Sequence, residues 1–94
     1  MRSPFGPSMS AAFAPSMRLS QLRRDRPAQV REVESRGPAD PIAERLRELG
    51  FVADEPVRVV AHAPLGADPL LVQVGFTRFA LRRAEADRVI VEAA

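Results

Sequence analysis

Cysteine is absent from these 94 residues. The chain therefore cannot build a disulfide framework, a cysteine-ligated zinc or iron–sulfur site, or a thiol nucleophile. Histidine occurs once, at His62, so one copy cannot supply a two-histidine metal site or a second imidazole. Tryptophan and tyrosine are missing, and five phenylalanines are the only aromatics. A surface that stacks bases on Trp or Tyr is excluded. Lysine is missing too. All 14 basic residues are arginine, which explains a pI near 10.9 at a net charge of only +2. Arginine-only usage is read most simply as genome composition. Residues 18–48 hold 8 arginines against 6 acids, and residues 49–94 hold 5 against 6. No segment carries a strong field of one sign, so charge implies no nucleic-acid partner. No apolar run approaches the roughly 18 residues of a membrane span, so direct membrane insertion is not expected.

What is present fits one small domain. Hydrophobic residues make up 46% and charged residues 28%, a globular balance. Residues 1–16 (MRSPFGPSMSAAFAPS) are rich in proline and serine and carry one charge, so they read as a disordered tail ahead of a domain at 17–94. Their longest apolar stretch is too short for an export signal, and the cytoplasm is the expected compartment.

The pattern from residue 19 onward predicts a β-rich fold. Leu19 and Leu22 suit a lead-in turn or short helix, and residues 28–34 (AQVREVE) a first strand. The Gly-Pro pair in residues 35–40 marks a loop. A helix follows. Asp40 suits its N-cap and Pro41 its first position, while Gly50 suits a left-handed stop with Phe51 folding back on the last turn. Ile42, Leu46 and Leu49 recur at i, i+4 and i+7, which predicts one buried stripe. The period then changes to two. Strands are expected at 56–63 (PVRVVAHA), 70–74 (LLVQV), 78–82 (RFALR) and 89–91, with a hairpin at 75–77 and a helical turn at 83–88. The expectation is a mainly β fold: a small antiparallel barrel of about five strands, with one α-helix inserted after the first strand.

ERLRELGF (44–51), VRVV (57–60), APLGADPLLVQV (63–74) and LRRAEADRVIVE (81–92), in this order, resemble the ferrous iron transport protein A family, FeoA. The resemblance spans roughly residues 17–92. It implies an SH3-like barrel, a fold shared with the C-terminal domain of iron-dependent repressors. It also implies a cytoplasmic accessory of a FeoB-type membrane ferrous-iron transporter, which carries a cytosolic GTP-binding domain. No cofactor is implied, and weak self-association is compatible with it. Two departures stand out. Ala53-Asp54 replaces the usual Pro-Gly after the helix, in a turn that aspartate can still adopt. Ala67 lengthens the loop between Gly66 and Asp68.

Candidate site residues are few. The 62–69 loop holds the single histidine, His62, together with Leu65, Gly66 and Asp68. Leu65, set between two turn formers, either projects as an anchor for a partner or folds inward. His62 and Asp68 are candidates for weak transition-metal binding; two ligands are too few for a dedicated site, so a third would have to come from another chain or from water. Arg45 on the helix and Arg82 after the hairpin are further candidate partner contacts, with a solvated helix face as the alternative for Arg45. Arg78, Arg82, Arg83 and Arg88 cluster in sequence near the last hairpin, either as a contact for an acidic or phosphate-bearing partner or as a solvated face. Arg82 and Arg88 are expected to pair with Glu85 and Asp87 at the surface. No catalytic constellation is expected: the chain has no phosphate-binding glycine loop, no nucleophile beside a base and no convincing acid/base pair. A stand-alone relative of the repressor domain is the alternative function. It would lack the helix-turn-helix that reads DNA. An RNA-binding barrel is disfavoured by the mixed charge and the absent stacking residues.

Overall fold

The computed structural model describes residues 16–63 and 68–94. Six strands appear: β1 (Ser16–Arg18), β2 (Ala28–Val33), β3 (Pro56–His62), β4 (Leu70–Val74), β5 (Thr77–Leu81) and β6 (Val89–Ala93). Helix α1 (Pro41–Leu49) follows β2, and a single turn, α2 (Arg83–Ala86), joins β5 to β6. A 3-10 turn at Leu19–Gln21 supplies the expected lead-in.

The strands form one antiparallel sheet in the order β1-β6-β2-β3-β4-β5. The alternating pattern places Val57 and Val59, Leu70, Val72 and Val74, Leu81, and Val89 and Val91 on the inner face, all buried. Register slips at Val30/Glu32 and at Val59/Ala61 insert a bulge into β2 and β3. Bulges bend a strand and increase its twist, which curls this sheet around its core.

The mainly β antiparallel architecture is as expected, and it differs in two details. The sheet has six strands rather than five, because Ser16–Arg18 pairs with Ile90–Glu92. Three residues without alternation gave no strand signal of their own; pairing with β6 defines them. The ladder also does not close among the described residues. β1 and β5 each pair on one side only, so edges remain where a closed barrel would have none. The expected tail lies outside the described residues as far as residue 15.

Helix α1 follows the capping chemistry. Asp40 Oδ1 accepts from the backbone N–H of Ile42 at 3.1 Å and of Ala43 at 3.2 Å. At the other end Gly50 takes φ 115° and donates to the Arg47 carbonyl, while the Phe51 N–H reaches back to Leu46 O at 3.1 Å. That is the double closure that glycine permits. It turns Phe51 into the core, where it is fully buried and its ring lies 6.3 Å from that of Phe79. Asp54, in the departing turn, adopts φ 75° as expected.

The buried stripe of α1 is not the one the spacing predicted. Leu46 is 1% exposed and Leu49 half-buried, but Ile42 is 43% exposed and Ala43 takes its place at 0%. The helix packs on β2, and in its last turn Arg47 Nη2 donates to the Val33 carbonyl at 3.2 Å. Burying Leu46 contributes about 1.5–3 kcal/mol by area.

Candidate functional site

The structure brings three of the predicted residues together. Arg45 from α1, Arg82 from the end of β5 and Asp68 from the loop before β4 line one open hollow of about 460 Å³, with Pro69, Ala80 and Glu85. The hollow is held by polar contacts. Arg45 Nη1 lies 2.9 Å from Glu85 Oε2. Glu85 Oε1 accepts from the Arg82 backbone N–H at 2.9 Å, and Asp68 Oδ1 accepts from that of Arg83 at 2.5 Å. Both carboxylates are thus engaged. Among the described residues the Arg82 guanidinium has no ion-pair partner.

His62 ends β3 opposite Leu70 and is exposed, and it is not among the residues lining this hollow. Leu65 and Gly66 lie outside the described residues. His62 and Asp68 remain two donors. Among the described residues no three His, Asp or Glu side chains gather as metal ligands. A structural or catalytic zinc takes three or four protein ligands, so this donor set does not fit one.

The expected surface pairing of Arg82 and Arg88 with Glu85 and Asp87 is corrected. Arg88 points inward. Its guanidinium bonds Asp40 Oδ2 at 2.5 and 2.8 Å, and both side chains are 7% exposed. Asp40 also accepts from the Arg36 N–H at 2.8 Å. That bond, then those from Ala43 and Ile42 with the Arg88 charge, holds its carboxyl below the usual range against the opposing effect of burial. Asp87 instead accepts from the Ser20 hydroxyl. Glu85 is taken by Arg45, on the helix side.

One feature escaped the sequence reading. Phe76, in the two-residue Gly75-Phe76 turn between β4 and β5, is 103% exposed. Val52, 46% exposed, shares with it an apolar hollow of about 570 Å³ whose walls include Leu49, Pro56 and Val74. The signal was available: a turn of this kind favours Gly, Asn or Asp, and a phenylalanine there has no local reason to exist.

Residues 17–93 match the FeoA domain family. The chain belongs to the FeoA family. Among solved structures, the FeoA of Stenotrophomonas maltophilia, crystallised with zinc, is 59% identical with a TM-score of 0.73. The match covers 80% of this chain and 88% of that one. Iron(II) transport protein A of Clostridium thermocellum is 37% identical with a TM-score of 0.72, over 83% of this chain and 46% of that one. The IdeR protein of T. acidophilum, at 16% identity and a TM-score of 0.68 over 84% and 34% of the two chains, shares the fold alone. A comparison with curated proteins returned no match. The fold is the SH3-like one of the FeoA proteins, a family of accessory proteins of ferrous iron transport. No helix among the described residues is long and apolar enough to cross a membrane.

Proposed function

We propose that the protein is a cytoplasmic accessory of ferrous iron uptake that docks on the cytosolic part of a FeoB-type membrane transporter. It acts by binding, not by catalysis. The observation that carries this reading is the Phe76 hairpin tip, fully exposed beside an apolar hollow. Water-exposed aromatic area of this kind is retained at a cost in solubility and gains its use when a partner buries it. The related S. maltophilia protein has been put forward as a ferrous iron transport activating factor, which favours an activating role here.

The test is recovery of the transporter from detergent-solubilised host membranes by tagged protein. The native protein is expected to retain a ferrous-iron transporter, and Phe76→Ala to lose most of it without change in thermal stability. Leu65→Arg is expected to weaken retention in the same way, through the loop that carries it. Recovery of soluble regulators or nucleic acid alone would overturn the transport reading. Undiminished retention by Phe76→Ala would remove the hairpin tip from it.

A further inference from the structure

The three strands β3, β4 and β5 contain no aspartate or glutamate. They do carry arginines, and the register aligns them. Arg58 stands opposite Gln73, and Gln73 opposite Arg78. Directly opposed residues share a face, so Arg58, Gln73 and Arg78 form one row across the sheet, on the side away from Val57, Val72 and Phe79. Arg82, four residues after Arg78 in extended backbone, falls on the same side. Arg58 and Arg78 are roughly 10 Å apart across two strand spacings, and Arg78 and Arg82 roughly 13 Å apart along one.

These charges are unpaired. Every side-chain carboxylate of the chain lies within the described residues, since residues 1–15 and 64–67 contain no Asp or Glu. None of the six ion pairs among the described residues includes Arg58, Arg78 or Arg82. Arg78 donates instead to the neutral Gln73 Oε1 at 3.2 Å. Asp68 and Glu85 stand near Arg82 but are bonded to the backbone N–H groups of Arg83 and Arg82 and to Arg45, not to the Arg82 guanidinium.

The same strand offers its backbone. β5 pairs only with β4. Val74 and Thr77 flank the two-residue turn and form a hydrogen-bonded pair, so by alternation Thr77, Phe79 and Leu81 bond β4 while Arg78 and Ala80 direct their N–H and C=O to the open edge. The run ends at Arg82, whose N–H and carbonyl are taken by Glu85 and α2.

We infer that the open edge of β5 receives an extended acidic segment of a partner protein, added to the sheet as a further strand. Added antiparallel, its residues opposite Arg78, Ala80 and Arg82 lie on the arginine side, two apart. The matching pattern is an acid opposite Arg78 and another opposite Arg82, a small residue between them, and apolar residues alternating toward the half-buried Phe79. A nucleic acid would satisfy the arginines but not the backbone donors and acceptors of Arg78 and Ala80. The inference rests on the docking reading above, without requiring that the transporter be the partner.

The test is an amide-resolved NMR titration with the synthetic peptide Ser-Glu-Val-Thr-Val-Glu-Ser and its Lys-for-Glu counterpart. The acidic peptide is expected to shift amides of Thr77 to Arg82 and to bind at least about tenfold more tightly than the basic one, with affinity falling as salt rises. Arg78→Glu should weaken it by about tenfold or more, and Arg58→Gln, set further from the edge, by less. Ala80→Pro should abolish it, because it removes an edge donor that β4 does not use. Arg78→Glu, a surface change, covers the case in which the proline disturbs the strand. Equal binding of the two peptides, or shifts confined to other elements, overturns the inference. An RNA oligonucleotide that binds and is unaffected by Ala80→Pro does so too. If the acidic peptide fails to bind and the transporter is retained from membranes regardless of Arg78→Glu, this edge is wrong and the docking reading stands. If the peptide binds as expected and no transporter is retained, the edge stands and the transporter is not its partner.

Discussion

On the β1–β6–β2 side of the sheet, Arg18 meets Glu34 at 3.1 Å and Arg31 meets Glu92 at 3.4 Å. On the β3–β4–β5 side, Arg58, Arg78 and Arg82 meet no carboxylate. One sheet thus has a half whose arginines are answered within the chain and a half whose arginines are left for something else. A net charge of +2 conceals this, because the segments average it away. The buried Arg88–Asp40 pair is the extreme of the answered kind. It ties α1, the loop before it and the turn before β6 into one joint.

The contrast can be broken at several points. The largest effect is expected at Arg88. Arg88→Met leaves Asp40 buried without its partner and should lower unfolding free energy by about 3–5 kcal/mol in denaturant titration. The next is a dependence on pH. The folded-state pKa of Asp40 is depressed, first by the Arg36 N–H, and that of Glu34 by Arg18. A depressed carboxyl contributes stability above its unfolded-state value of about 3.9 for Asp, and that stability is lost as pH falls through the folded-state value. Denaturation midpoints followed downward in pH should fall in the native protein and fall less steeply in Asp40→Asn. The smallest effects separate the two halves of the sheet. Arg31→Ala should cost up to about 1 kcal/mol, the value of an exposed pair. Arg58→Gln combined with Arg78→Gln should leave stability within about 0.5 kcal/mol while removing acidic-peptide binding. A large loss of stability from that double change would make the unpaired arginines structural and end the contrast.

Much of this fold was legible in the sequence because its signals are local. Asp40, Pro41 and Gly50 bracket α1 through contacts within a few residues, and the alternation of Leu70, Val72 and Val74 needs no partner to be read. What was not legible depends on residues far apart in the chain. Ile42 outranks Ala43 in any periodicity, yet it is Ala43 that the fold buries. Arg88 looked like a partner for its neighbours Glu85 and Asp87, but its carboxylate is 48 residues away in sequence. Arg45, Asp68 and Arg82 were each named from sequence, and only the fold shows that they share a hollow while His62 stands outside it. The arginine row across β3, β4 and β5 exists only once the register is known.

The pairing of Ser16 with Glu92 has an engineering consequence. β1 and β6 are neighbouring antiparallel strands, so a short linker from Ala94 to Ser16 would join them without crossing the core. The chain could then be opened between Gly75 and Phe76, giving a circular permutant with β5 at its start and β4 at its end. In that molecule Phe76 would stand beside a free amino group, and a crosslinker or dye coupled there would report directly on whatever covers the hairpin.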